Sequence, residues 1–394
     1  MLRTWICTVG AVFFLTSASA QNIRGVTDQE IKVGQTWPYS GPVSGHAISG
    51  KTEAAYFAMI NEAGGINGRK ITYITYDDAF SPPKTVEQVR KLVEQDEVAL
   101  IFGSFGTATN SAVLKLISAA KVPHLLLNAS ADRFTDPKQA PWSTILPPSA
   151  AVESGAFAKY ILAEMPNAKI GVLYQNDDFG KLYLANFKKV LGDKAANIVS
   201  EQSTDVTEPT IDSQIVTLHA SGAEVLVDFT LSKQTAQALK KAYELNWKVP
   251  HLVTAPASSI PETLQPVGLE KSQTVVAFRY FMDPSDPAAK ANDMFSKYYE
   301  FIAKRVPGAD PGDFTNVSAY STGEALVEIL KRCGNDLSPE NIIKQATSGE
   351  AFNLSLLLPG VEYRSTPENH GGITHLQPSR IEGGHYVAAG ELTK

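Results

Sequence analysis

VALIFGSFGTATNSAVLKLISAAK, residues Val98–Lys121, changes character in its middle. Val98 to Phe102 are continuously apolar, the run of a strand buried on both faces. Val113, Leu116, Ile117 and Ala120 then recur at helical spacing, so the chain turns from strand to helix across Gly103–Thr107. A new helix presents unbonded N–H groups and the positive end of its dipole, which attract a carboxylate or phosphate. Ser104, Thr107 and Thr109 are N-cap residue types. The stretch therefore reads either as an anion site or as an ordinary turn whose hydroxyl caps its helix.

Outward from this stretch the same grammar repeats. Before it, Ile31–Pro38 reads as a strand, Ser49–Ala63 as a helix stopped by Gly64-Gly65, Ile71–Tyr76 as a strand, and Pro83–Gln95 as a helix with proline in its first turn. After it come a strand at His124–Leu127 and the proline-rich segment PWSTILPPS, Pro141–Ser149, a crossing between lobes. A second series follows: a helix from Ala150 to Met165, strand Lys169–Tyr174, helix Phe179–Leu191, strand Ala196–Val199, helix Ile211–Ala220, strand Glu224–Phe229, helix Lys233–Leu245 and strand His251–Val253. Beyond it we expect a strand at Thr274–Phe281, helices at Pro287–Lys304, Asn316–Arg332 and Pro339–Ala346, and short strands and hairpins from Leu354. Alternating strands and helices imply an α/β fold of two doubly wound parallel-sheet lobes. If the later helices complete lobe one and the tail completes lobe two, three crossings form the hinge. The expected lobes are 21–145 with about 278–350, and 146–277 with about 351–394. Ligands sit at the carboxyl ends of strands in such sheets, so a cleft between the lobes is the expected site.

The first twenty residues, MLRTWICTVGAVFFLTSASA, read as an export signal: Arg3 near the start, an apolar middle, and an A-x-A end at Ala18–Ala20. The expected fate is export, with a chain beginning near Gln21 and without a membrane anchor. Cys333 would then be the sole cysteine, so a disulfide-free core must hold the chain together. Of 394 residues, 43% are hydrophobic, enough for a large core. Removing Arg3 from 35 basic residues against 41 acidic ones leaves about −7, which offers no basic footprint for nucleic acid or an anionic membrane.

Several motifs are declined. GHAISGKT, Gly45–Thr52, matches the P-loop pattern, but Tyr39–Ser44 separate it from its strand, whereas a working P-loop leaves the strand straight into its first glycine. The Val225–Asp228 run resembles a magnesium-holding strand end, yet Asp228 reads better as a residue facing the cleft. No G-x-S-x-G string occurs. His370, His375 and His385 lack metal-pair spacing. Asp77-Asp78 and Asp177-Asp178 read as caps or cleft rim, because adjacent residues on an extended chain point apart. Nothing assembles a nucleophile with its base, and no enzyme activity, cofactor or metal is expected.

IKVGQTWPYSGPVSGHAISG, NEAGGINGRKI, IFGSFGTATNSA, KVPHLLL and IGVLYQNDDFGK together resemble the exported solute-binding proteins of the branched-chain amino-acid (leucine, isoleucine, valine) type, across essentially the whole mature chain. The resemblance implies a type I periplasmic binding protein: two lobes on a three-crossing hinge, closing as a monomer on a small solute and delivering it to the membrane permease of an ABC importer. Position by position it places the carboxylate-binding hydroxyls on Thr107 and Ser130, a backbone group near Asn128, and cleft aromatics on His46 and Phe179. The family's ammonium-pairing acid should lie in Thr254–Ala257, which reads TAPA, with Ala255 at its centre and no acid before Glu262. The family's disulfide is also missing, with Gly106 in one cysteine's place. Stripping a buried charge of its partner costs about 3–5 kcal/mol, hence roughly two to three orders of magnitude in affinity. Asp228 on the neighbouring strand could substitute. With Tyr39, Phe105 and Phe229 also near strand ends, a carboxylate without an amine, such as an aromatic acid, fits the pattern. An amino-acid ligand, a ligand-sensing receptor subunit and an exported enzyme remain the alternatives.

Overall fold

The computed structural model describes residues 23–393 except 288, 290 and 291; the export signal expected at 1–20 lies outside the described residues. The chain runs β1 (Glu30–Trp37), α1 (Ala47–Glu62), β2 (Lys70–Asp77), α2 (Pro82–Glu94), β3 (Leu100–Phe102), α3 (Thr107–Ala120), β4 (His124–Leu127) and β5 (Ser143–Ile145). These strands form one parallel sheet in the order β2-β1-β3-β4-β5. Next come α4 (Ala150–Glu164), β6 (Ile170–Gln175), α5 (Asp178–Leu191), β7 (Ile198–Thr204), α6 (Asp212–Ala220), β8 (Val225–Phe229), α7 (Ser232–Glu244), β9 (His251–Val253), the short α8 (Gln265–Val267) and β10 (Val275–Arg279). Then follow α9 (Asp293–Arg305), α10 (Phe314–Cys333), α11 (Pro339–Ala346) and the hairpin β11 (Gln377–Glu382) and β12 (His385–Ala388). The second sheet has the order β12-β11-β10-β9-β8-β6-β7, parallel except for the terminal hairpin, which pairs antiparallel to β10.

The chain crosses between the sheets after β5, after β10 and before β11. On the second crossing α10 packs along α1, tied by Thr52 Oγ1 donating to Asn316 Oδ1 at 2.7 Å and Ser49 Oγ donating to the Thr315 carbonyl. Before the third, the His370 and Gly371 backbone pairs with β5. Both sheets are dry inside: Val33, Leu100, Ile101 and Leu125 in the first, and Val172, Leu226, Val227 and Leu252 in the second, are at most 1% exposed. Central parallel strands need that uninterrupted burial.

Several elements depart from the sequence reading, among them β5, a strand inside the Pro141–Ser149 segment expected only as a crossing. A strand is expected at Ala196–Val199, but those residues straddle a 3-10 turn and the start of β7. β7 is an edge strand of alternating exposure whose last five residues, SEQST, are polar and lack the apolar run that marks buried strands. The helix expected from Pro287 begins at Asp293. GHAISGKT forms no phosphate loop: Ser44–His46 is a 3-10 turn and Gly50 and Lys51 lie within α1. Among the described residues no helix is long and apolar enough to cross a membrane.

Candidate functional site

The carboxyl ends of β1, β3 and β4 face those of β6, β8 and β9 across a cleft whose empty space, including its mouth, is about 750 Å3. Trp37, Phe80, Phe105, Phe179, Tyr183 and Phe314 supply much of its wall. The lobes touch on both flanks of the cleft. Arg133 Nη1 lies 3.2 Å from Asp178 Oδ2, Asn186 Nδ2 donates to Asp132 Oδ2 at 2.7 Å, and His46 Nδ1 lies 3.8 Å from Glu262 Oε2.

The lobe-one wall is the Gly103–Asn110 turn. Gly106 sits at φ +100°, and a Cβ there would meet Thr109 Oγ1 at 2.6 Å and Phe80 Cε2 at 2.7 Å, so only glycine fits. None of the three candidate hydroxyls caps α3. Ser104 Oγ accepts from the Thr36 N–H, Thr109 Oγ1 donates back to the Phe105 carbonyl, and Thr107 Oγ1 accepts from the Ser130 N–H at 3.2 Å. The first-turn N–H groups of Thr107, Ala108 and Thr109 therefore have no side-chain cap, the arrangement that suits an anion. Thr107 keeps its own O–H proton for donation. Leu126, two residues before Asn128, adopts φ +57° where β4 shifts register on β5. That irregularity, unsignalled in the sequence, sets the direction of Asn128–Ser130. Thr107→Ala should weaken carboxylate binding roughly tenfold to a hundredfold, the worth of one bond to a charged group, and cost the empty protein about 1 kcal/mol through the orphaned Ser130 N–H. Titration calorimetry and ligand-free melts separate the two, and a stability loss alone would make Thr107 purely structural.

On lobe two, Asp177 caps α5 by accepting from the Phe179 and Gly180 N–H groups, which seats Phe179 at the cleft. The acid missing from TAPA arrives from elsewhere. Glu153 of α4, 1% exposed, lines the cleft; its Oε1 accepts from the Ala255 N–H at 2.7 Å and its Oε2 from the Tyr183 hydroxyl at 2.5 Å. Burial pushes its carboxyl up to about 7, against the two hydrogen bonds that favour the charged form. The sequence hid Glu153 because it lies inside an otherwise ordinary helix, and only the fold brings it beneath Ala255. Burial likewise raises Glu262, partly offset by His46, whose ring stacks on Phe105 at 4.9 Å.

Of the residues singled out in the sequence, Thr107, Ser130, Asn128, Phe105, Gly106, His46, Phe179 and Ala255 line the cleft together. Tyr39, Asp228 and Phe229 do not. The Tyr39 hydroxyl is 2.9 Å from Thr75 Oγ1 on β2, and the side chain packs over Gly50 of α1. Asp228 cannot stand in for the missing acid, because it is fully buried in β8 with its carboxylate held by Thr230 Oγ1 at 2.6 Å and His251 Nε2 at 3.1 Å. Phe229 lies one layer deeper, its ring 5.3 Å from that of Tyr183 and 5.6 Å from that of Phe187. Among the described residues no three His, Cys, Asp or Glu side chains cluster as metal ligands.

Comparison with known proteins agrees with this architecture. Leu/Ile/Val-binding protein homolog 7 of Brucella abortus is 25% identical over 352 residues, 85% of this chain and 84% of that protein. A branched-chain amino acid ABC transporter structure from Thermus thermophilus with bound valine superposes with a TM-score of 0.83 at 18% identity, covering 93% of this chain and 96% of that one. An ABC transporter solute-binding protein from R. palustris in complex with 4-hydroxybenzoate gives 0.77 at 18% identity, covering 93% and 97%. The two-sheet α/β architecture is shared with these structures, and a sequence model described as periplasmic binding protein matches residues 30–385, so the chain belongs to the periplasmic binding protein family.

Proposed function

We propose that this protein is the periplasmic receptor of an ABC importer and that it captures a small carboxylate without an amine, such as an aromatic acid, in the interlobe cleft. The observation that carries the reading is the asymmetry of the walls: uncapped N–H groups and the Thr107 hydroxyl on one side, aromatic rings around the rest. The relatives' names and the neighbours' bound valine and 4-hydroxybenzoate support a small carboxylate in this fold. The mechanism is hinge closure: a ligand touching both lobes favours the closed state by its differential affinity, and a membrane permease that favours the open state releases it. Export with cleavage near Ala20, a monomeric state, and lobes of 21–145 with about 278–350 and 146–277 with about 351–394 belong to the same proposal. The Gly371–Ile145 bridge still belongs to the first sheet, so within this proposal the last crossing moves from about 351 to between Gly371 and Gln377.

Glu153 favours a second reading, an amino acid whose ammonium it would meet. A thermal-shift panel decides. A ligand at a hundred times its Kd adds about 2.7 kcal/mol, a rise of several degrees for a chain of this size. Benzoate-type acids are expected to give that rise, and stabilisation by leucine alone would establish the amino-acid reading instead.

A further inference from the structure

We infer that Gln175 selects the ligand by accepting a hydrogen bond from an uncharged donor, a hydroxyl, at the end of the molecule remote from its carboxylate. The inference rests on the carboxylate reading above. Gln175 ends β6, is 1% exposed and lines the cleft. Its Nε2 donates to Asp177 Oδ2 at 2.5 Å, which fixes the amide: the reversed orientation would set two oxygens against each other. Asp177 is itself held by the start of α5, so the orientation is anchored to the backbone. The remaining atom, Oε1, is buried with no hydrogen-bond partner among the described residues. A buried acceptor left unpaired is costly, and pairing it is a gain that ligand binding can realise.

The rest of the cleft says which donor fits. The carboxylate end is provided for on lobe one by Thr107 and the α3 N-terminus. On lobe two the other strong acceptor, Glu153, already receives one bond on each oxygen. An ammonium brings three N–H donors and a full charge, and at Gln175 Oε1 meets a single neutral acceptor. A hydroxyl brings one donor and no charge, and meets its match. Phe179, four residues along the chain, lines the same cleft and adds apolar surface to it. Rejection of an analogue lacking the donor follows from the orphaned oxygen it would leave.

The test is titration calorimetry with benzoate, 2-, 3- and 4-hydroxybenzoate and leucine on the full mature chain, its Gln175→Leu variant and the polarisable, similarly sized Gln175→Met variant. At least one hydroxybenzoate should bind the wild type about tenfold to a hundredfold more tightly than benzoate. Both variants should lose that preference, binding benzoate and the hydroxybenzoates with equal affinity whatever the absolute value. A preference that survives both substitutions, or a wild type that binds benzoate and every hydroxybenzoate equally, overturns the role of Gln175 and leaves the carboxylate reading standing. Binding of leucine with none of the acids overturns both. Near-wild-type melting of either variant suffices to read the result, since each removes the same acceptor.

Discussion

Gly106→Ala is expected to destabilise the ligand-free protein by about 3 kcal/mol and to abolish measurable carboxylate binding. Two costs combine. An L residue at φ +100° is strained by about 1–3 kcal/mol, and the added methyl overlaps two atoms that cannot easily retreat. Thr109 Oγ1 is pinned by the Phe105 and Gly106 carbonyls, and the Phe80 ring packs 5.9 Å from that of Phe105. Relief by backbone movement displaces the Gly106 N–H from the Asn128 carbonyl, and with it the alignment of the α3 first turn to Ser130. Gly64→Ala is the matched control. Gly64 has φ +105° but nothing within 4 Å of the added Cβ, so it carries strain without overlap and should leave ligand affinity unchanged. Urea melts and calorimetry on the pair separate strain from site damage; equal effects of the two substitutions would show that the turn is not shaped for a ligand.

The turn was legible in the sequence because a continuous apolar run, a glycine-spaced bend and a helical repeat are all local signals. Its chemistry was only half legible. A capping hydroxyl in the turn is a local inference, and it fails because Gly106 takes the N-cap position while Thr107, the first helical residue, accepts from the Ser130 N–H, 23 residues away and reached through the irregularity at Leu126. Asp228 departs from its sequence reading for a related reason. A strand-end acid looks available until the adjacent strand brings His251 against it, and no one-dimensional pattern reports what lies on the next strand. Glu153 was missed altogether because α4 is a helix whose partners at Ala255 and Tyr183 are 102 and 30 residues distant. Local grammar therefore gave the layers and the facing strand ends. Which polar side chains remain unpaired in the cleft depends on long-range pairing, and that is where the ligand question lies.

Glu153→Gln is expected to raise the stability of the ligand-free protein by about 3 kcal/mol at pH 8 and by little at pH 4. The size is the shift from 4.5 to about 7 expressed at 1.36 kcal/mol per unit. The sign follows from proton linkage: below 4.5 the carboxyl is protonated folded and unfolded, so nothing is lost. Between 4.5 and about 7 the unfolded chain releases a proton that the folded one retains, and stability falls as pH rises. Above that window the penalty is constant. Burial raises Glu53 and Glu324 in the same direction, so the wild type slopes for several reasons and only its difference from Glu153→Gln isolates this residue. The same group reports the ligand's charge. A carboxylate bound in the cleft that Glu153 lines adds negative charge and favours its protonated form, so binding at pH 7 takes up protons and affinity falls above pH 7. An ammonium favours the charged form, so binding releases protons and affinity rises. Calorimetry in two buffers of different ionisation enthalpy gives the sign directly, and Glu153→Gln should abolish the exchange in either case. Proton release with wild-type protein would favour an amino acid, whereas uptake is the result expected for an acid without an amine.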